Sequence, residues 1–342
     1  MGDAEQPSFR WRKKLYNMVG NKFNQLQIIV PIIARHILQT KGKASCDYVE
    51  PFCGSGVVFT NLLMYLLETK RVGKTSKVSA KLNLNMKISD ANPFIIDFWN
   101  TVLNRSDIEL MLKWIKKLVK RYMNGKTEQQ KNKIYNDMRE EFNSNAVRLS
   151  KPVVRAAYFV VLMKLCYGSY PRFNKQGLFN NPPGHRKVES VNNIIDVNAL
   201  MNIHELLTDR KLHESVGVKL NITFTWSDVR STVKRVVPTS SATTFVVYMD
   251  PPYTDSAELY GKNEEITAET DWSVMYLVES CKKQKRKTPN ILVSNCDGYY
   301  NRYCKYRLQI RIKNKQNTHH RQRIEVLVSN KSLGPEKVVD CE

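Results

Sequence analysis

Residues 47–67 constrain the fold more than any other stretch. Asp47, Tyr48, Val49 and Glu50 read as a short strand, Pro51-Phe52-Cys53-Gly54-Ser55-Gly56 as a glycine turn, and the apolar run 57–67 as a helix. A strand passing through a glycine turn into a helix opens a nucleotide-type unit of an α/β sheet. The turn carries no Gly-Lys-Ser/Thr and lacks the full dinucleotide fingerprint, so it suits a ligand that the backbone approaches without a phosphate cradle.

A second unit follows. The strand 85–89 ends at Asp90-Ala91-Asn92-Pro93, where an acidic residue and an Asn-Pro break precede the helix 94–103. Upstream, Leu26, Ile29, Ile33 and Ile37 have the period of an amphipathic helix over 25–39. From about residue 106 to 216 the pattern turns helical (108–122, 128–142, 152–167) and leads into a basic, aromatic, turn-rich stretch at 168–177. Strand patterns return at 222–225, 244–249 and 290–295, and 307–313 is expected to pair with 323–329. The expected architecture is a mostly parallel sheet closed by an antiparallel hairpin. Its expected divisions are a basic arm (1–14), a discontinuous catalytic domain (15–105 and 217–330), an insert (106–216) and a tail (331–342).

The 342 residues include 54 Lys and Arg against 32 Asp and Glu, a formal charge of +22. Each cation laid against a phosphate releases counterions, so this excess favours a polyanion, with nucleic acid the leading partner. The longest apolar runs, 28–33 and 156–162, fall short of the roughly 20 residues of a membrane helix. The N-terminus carries Arg10, Arg12, Lys13 and Lys14 without the apolar core of a signal peptide, which predicts an intracellular protein. Seven cysteines without a C-x-x-C pair read as reduced, mostly buried thiols.

Asp250-Pro251-Pro252-Tyr253 follows the apolar run 245–249. In open parallel sheets ligands bind outside the carboxyl ends of strands, where this tetrapeptide falls. Two successive prolines fix φ and remove two donors, leaving carbonyls that can only accept. Asp250 and a proline carbonyl can take the two N–H groups of an exocyclic amine while Tyr253 stacks on the base. Alone, such a string also suits an ordinary strand-ending turn. Together with the glycine turn, and with Asp90 placed for ribose hydroxyls, it points to S-adenosylmethionine as the ligand. This chemistry requires no metal.

With these motifs in this order, the chain from about residue 15 to 330 resembles the Dam-type (D12 class) DNA adenine N6-methyltransferases, bacteriophage enzymes among them. Gly20-Asn21-Lys22 is similar to their N-terminal cofactor motif, Glu50 to Gly56 to the glycine loop, Ser89-Asp90-Ala91-Asn92 to the ribose-binding turn and Asp250 to Tyr253 to the catalytic tetrapeptide. Trp226 takes an aromatic position that packs on the cofactor adenine, with Asp228 just beyond it, and Ser294-Asn295 matches the Ser-Asn after the following strand. Met18 stands where the family usually has an aromatic residue. The resemblance implies a Rossmann-like S-adenosylmethionine-dependent methyltransferase fold with an inserted, mainly helical target-recognition domain containing a β-hairpin. It assigns catalysis to Asp250, Pro251, Pro252 and Tyr253. Cofactor binding falls to Met18, Lys22, Glu50, Phe52, Gly54, Gly56, Asp90, Trp226, Asp228 and again Asp250.

In the insert, Arg139-Glu140-Glu141-Phe142-Asn143 is similar to the family's R-E-E-F-N helix, and Arg172-Phe173-Asn174 with Gly177, Phe179 and Pro182 follows its target-recognition hairpin. The resemblance assigns Arg172 to guanine, in line with Arg as the commonest bidentate partner of guanine O6 and N7. Asn174 and Pro182 fall on further DNA-contact positions, while Gly168 and Tyr170 replace polar and aliphatic residues near the target. Arg139, Lys175, Arg186 and Lys187 are expected against phosphates. The implied partner is double-stranded DNA, with GATC as the site and a flipped-out adenine as acceptor, and the implied origin is bacterial or viral. Two alternatives stay open: a catalytically silent DNA-binding protein on the same scaffold, and a methyltransferase acting on RNA adenine or cytosine N4. Of the remaining features, Cys53 is read as loop packing, His319-His320 as solvated, the basic run 282–287 as a solvated helix end, and Phe9 with Trp11 as part of a disordered or DNA-binding arm.

Overall fold

The fold is taken from a computed structural model that describes residues 11–12, 15–16, 18, 22–39, 45–72, 81–184, 186–236, 243–252, 263–284, 287–296, 301–312, 323–334 and 338–341. Among the described residues eight strands form one sheet: β1 (Ser45–Glu50), β2 (Leu82–Asp90), β3 (Val218–Trp226), β4 (Thr243–Met249), β5 (Asn290–Cys296), β6 (Tyr306–Ile312), β7 (Arg323–Ser329) and β8 (Val338–Cys341). Their spatial order is β3-β2-β1-β4-β5-β7-β6-β8. The first five are parallel, and β7 runs antiparallel to both β5 and β6. This is a Rossmann-like α/β arrangement, as expected, with the 307–313 and 323–329 pairing in place.

Strand side chains alternate between two cores. Tyr48, Val246 and Tyr248 face the core that includes helices α1 (Leu26–Leu38), α2 (Val57–Val72) and α3 (Pro93–Val102). Val49, Phe245, Val247 and Met249 face a second core under α10 (Val229–Arg235) and α11 (Asn263–Lys283). Coverage on both faces explains why the last five residues of β4 form an unbroken buried run. The order of connections reverses between β1 and β4, and this switch opens a crevice at their carboxyl ends.

Residues 105–215 contribute α4 (Arg105–Met123), α5 (Glu128–Asn143), α6 (Asn145–Arg148), α7 (Pro152–Leu165), α8 (Val197–Thr208) and α9 (Arg210–Ser215). Their starts are legible from caps: Asn104 for α4, a Thr127/Gln130 capping box for α5, Asp196 for α8 and Asp209 for α9. These helices share one continuous core with the α1/α2/α3 side of the sheet. The reason lies in α3, whose residues from Phe94 to Trp99 are all buried; a helix buried all round has to be covered on more than one side. Phe94 meets Phe142 at 4.6 Å, and Arg155 of α7 grips Asp97 of α3 with Nε–Oδ2 and Nη2–Oδ1 contacts of 2.6 and 2.9 Å.

Three expectations need correction. Residues 338–341, set apart in a tail, pair in parallel with residues 309–312 of β6 as the outermost strand, because that side of β6 carries main-chain donors and acceptors that β7 does not use. Trp11 and Arg12, expected in a disordered or DNA-binding arm, dock on α2: the Trp11 ring stacks on Tyr65 at 6.0 Å, and Arg12 exchanges two main-chain hydrogen bonds with the Asn61 side chain. Finally, α7 stops at Leu165, and a 3-10 turn over Tyr167–Ser169 follows with φ of +65° at Gly168 and +57° at Ser169. Phe9 and the remainder of the arm, except Trp11 and Arg12, lie outside the described residues, as do His319 and His320.

Candidate active site

Three acids end three neighbouring strands on the carboxyl side of the sheet: Glu50 closes β1, Asp90 closes β2, and Asp250 follows β4. The turn after β1 is held from several directions. Gly54 N–H donates to Asp90 Oδ2 at 2.9 Å, and its carbonyl accepts from Trp99 Nε1 and the Tyr16 hydroxyl at 3.2 and 3.1 Å. Both glycines of the turn sit in the left-handed region, Gly54 at φ +47° and Gly56 at +70°. Met18 lies over Gly54, with its Cε 3.4 Å from where a Cβ would stand. Phe52 is partly buried against the second core.

Glu50 is 1% exposed and receives a 2.5 Å hydrogen bond from the Tyr48 hydroxyl. Burial pushes its carboxyl well above the usual carboxylate range; the Tyr48 bond opposes this, while Asp250 and Asp90 reinforce it. Burial likewise raises Asp90, to about 6, against the lowering effect of the Asn92 and Gly54 N–H groups it accepts. The Cys53 thiol is pushed well up by burial, with Asp90 and Glu50 adding to it, which fits loop packing and not a nucleophile.

Asp250 carries an ion pair: Lys22 Nζ lies 2.8 Å from its Oδ1, with the Lys22 side chain 4% exposed. Lys22 therefore faces the end of β4. Pro251 is buried and Pro252 partly so, whereas Tyr253, Gly20 and Asn21 lie outside the described residues. Next to β4, Ser294 of β5 is tied to the Tyr248 hydroxyl at 2.9 Å, and Ser294 and Asn295 are both buried.

Trp226 ends β3 in register with Asp90 and is 65% exposed, yet its Nε1 donates to the Ala91 carbonyl at 3.0 Å. The indole is thus fixed by its edge with its surface open. Asp228 is used locally: it caps α10 by accepting the Ser231 N–H at 2.8 Å.

The hairpin of the insert is irregular, with isolated antiparallel bridges Cys166↔Pro183 and Phe173↔Phe179 in place of a ladder. Helix α5 holds it from behind. Asn143 donates to the Phe179 carbonyl and accepts the Phe179 N–H at 2.9 and 2.8 Å, and Arg139 and Tyr135 both donate to the Asn181 carbonyl. Phe142 packs edge-on against Phe179 at 6.0 Å, and Glu141 accepts from both Arg121 and the Tyr158 hydroxyl. In the R-E-E-F-N string, Arg139, Glu141, Phe142 and Asn143 thus all serve as bracing.

Outward, Arg172, Lys175, Pro182 and Arg186 are exposed, Asn174 turns its side-chain oxygen to the Gln176 and Leu178 N–H groups, and Lys187 pairs with Glu189 at 3.2 Å on the surface. Tyr170 folds over Gly168, where a Cβ would lie 2.4 Å from its ring. Tyr167, 68% exposed beside this turn, was not singled out from the sequence, and only its position in a turn-rich aromatic stretch could have flagged it.

Among the described residues no helix is long and apolar enough to cross a membrane. A stretch of 206 residues, 60% of this chain, is 29% identical to the type II methyltransferase M.MjaIII of Methanocaldococcus jannaschii and spans 58% of that protein. Residues 19–320 match the family described as D12 class N6 adenine-specific DNA methyltransferase, which takes in the glycine turn, the acids at the strand ends and the braced hairpin. By that match over nearly its whole length, the chain belongs to the D12 class of N6 adenine-specific DNA methyltransferases.

Proposed function

We propose that the protein transfers a methyl group from S-adenosylmethionine to N6 of an adenine flipped out of double-stranded DNA, within a GATC site. The observation that carries this is the convergence of Glu50, Asp90 and Asp250 at the switch between β1 and β4, beside the open indole of Trp226. The residues fit the cofactor: acids complement a cation, bare backbone at Gly54 allows close approach, and Trp226 offers a stacking surface. Asp90 keeps lone pairs for ribose hydroxyls beyond the two N–H groups it accepts. When bound, S-adenosylmethionine supplies an electrophilic methyl on a good leaving group.

The chain's own residues do the positioning. The Asp250 carboxylate and the Pro251 carbonyl accept the two N6 hydrogens, which turns the nitrogen lone pair out of conjugation, and Tyr253 stacks on the base. Extrusion costs a few kcal/mol, which DNA contacts of the insert offset, because the Watson–Crick edge is out of reach within the stack. Arg172, exposed on the braced hairpin, reads guanine, and its main-chain N–H donates to the Tyr170 carbonyl. The excess of +22 adds salt-sensitive binding to any sequence.

The test is incubation with labelled S-adenosylmethionine and defined duplexes, followed by digestion to nucleosides. Label is expected in N6-methyladenine from GATC duplexes. The Asp250→Ala variant should lose turnover far more than it loses cofactor affinity, since Glu50, Asp90 and Trp226 remain to hold the cofactor whereas the acceptor amine loses its carboxylate. Label confined to RNA, or full activity of Asp250→Ala, would overturn the assignment.

A further inference from the structure

A buried chain of polar contacts runs behind Asp250. Lys22 Nζ, 2.8 Å from Asp250 Oδ1, also lies 3.4 Å from Glu325 Oε2, and the same Glu325 oxygen accepts the Gln25 side-chain N–H at 2.7 Å. Gln25, Lys22 and Glu325 are each 4% exposed. Glu325 reaches this place because β7 runs antiparallel: its third residue falls opposite Cys296, the last residue of β5, at the carboxyl edge of the parallel strands. A buried carboxylate is retained only where cations and donors satisfy it, and Lys22 and Gln25 are among those that satisfy Glu325.

We propose that Glu325 is a positioning residue of the methyl transfer. It holds the Lys22 ammonium between two carboxylates, and Lys22 in turn fixes the orientation of Asp250 toward the acceptor amine. Gln25 sets Glu325 by the bond it donates. The Lys22 segment precedes α1 and is 225 residues or more from both acids in sequence, so the ion pairs also fasten it across the carboxyl edge of the sheet. This rests on the role given to Asp250 above.

Glu325→Gln keeps the shape and removes the charge; Gln25→Met keeps the length and removes the donor. Each variant is compared with the parent in steady-state methylation of a GATC duplex, in S-adenosylmethionine titration and in thermal unfolding. A misplacement of about 1 Å near reacting atoms costs about 10²-fold in rate. The expected result is kcat lower by about that factor for Glu325→Gln and by about tenfold for Gln25→Met, with KM for DNA and Kd for S-adenosylmethionine within about threefold of the parent. Should Glu325→Gln not fold, Gln25→Met decides alone. A folded variant with kcat within about twofold of the parent, or a loss confined to cofactor affinity, overturns the positioning role. A parent inactive on adenine overturns the proposed function and this inference with it, whereas an active parent with unimpaired variants overturns this inference alone.

Discussion

Gly56→Ala should destabilise the protein by about 2–5 kcal/mol, and Gly54→Ala by only about 1–2 kcal/mol, although the two glycines are two residues apart in one turn. Both have positive φ, +70° and +47°, and an L side chain in that region costs about 1–2 kcal/mol at either place. They differ in what a methyl group would meet. At position 56 the Cβ would stand 2.0 Å from Trp99 Cζ2 and 2.6 Å from Phe59 Cε1. Both rings are fully buried and packed edge-to-face at 4.7 Å, so neither can swing aside, and overpacking a filled core adds about 1–3 kcal/mol. At position 54 the nearest atoms are Met18 Cε and Sδ at 3.4 and 3.5 Å, ordinary contacts with the end of a flexible side chain. Only the backbone term remains there. Urea unfolding of the parent and both variants, with midpoints converted through a common m value, measures the difference. Equal midpoints for the two variants, or a Gly56→Ala protein within about 1 kcal/mol of the parent, would refute the claim that the turn is pressed against Trp99 and Phe59.

Three further outcomes are expected. Asn143→Ala strips two bonds from the Phe179 main chain and should cost about 1–3 kcal/mol, relaxing discrimination between cognate and mismatched duplexes more than it slows the cognate reaction; unchanged discrimination would detach α5 from target reading. Trp226→Ala removes a side chain that is 65% exposed, so Tm should hardly move. S-adenosylmethionine affinity should nevertheless fall about fivefold or more, from a stacking contribution of about 1–3 kcal/mol; calorimetry showing equal affinity would remove the indole from the cofactor site. The third concerns pH. Burial raises Asp90 from 3.8 to about 6, so the folded protein holds that proton more tightly than the unfolded chain. Its stabilising contribution is then full below the unfolded pKa of about 4 and is lost as pH rises through about 6. Cofactor binding that needs the ionised acceptor runs the opposite way, strengthening as pH rises toward 6 and levelling above it. Asp90→Asn should flatten both profiles, and unaltered profiles would show that another group titrates.

The outline of the catalytic half was legible because its signals are local. A strand, a glycine turn and a helix in sequence fix β1 and α2, and the apolar 245–249 run followed by two prolines fixes the end of β4. The convergence of Glu50, Asp90 and Asp250 follows from parallel strands alone, since every strand end lies on one edge. What stayed hidden depends on long-range geometry. Glu325 sits within a strand pattern that reads as an ordinary edge hairpin, and only the antiparallel direction of β7 brings it beside Lys22. Trp11 among basic residues looks like part of a disordered or DNA-binding arm until α2 supplies Tyr65 for its ring and Asn61 for the Arg12 main chain. The sharing of one core by α3 and the insert was written in the dense apolar sequence of α3, broken only by Asp97 between Phe94 and Trp99, but periodicity alone does not say what covers each side. Arg139 was expected against phosphates, and its guanidinium instead donates to the Asn181 carbonyl of the hairpin.

That bracing has a consequence for how target preference can change. Every polar contact named between the helical brace and the loop ends on main-chain atoms: Asn143 on Phe179, Arg139 and Tyr135 on Asn181, and Arg148 on Gly177. Main-chain atoms are the same for every amino acid, so the scaffold places almost no demand on the identity of the residues facing outward. Exchange of Arg172, Lys175 or Tyr167 would leave the clamp intact and alter only the exposed surface of the loop. On the proposed reading of the target by Arg172, variants of this loop can therefore change target sequence without loss of the fold.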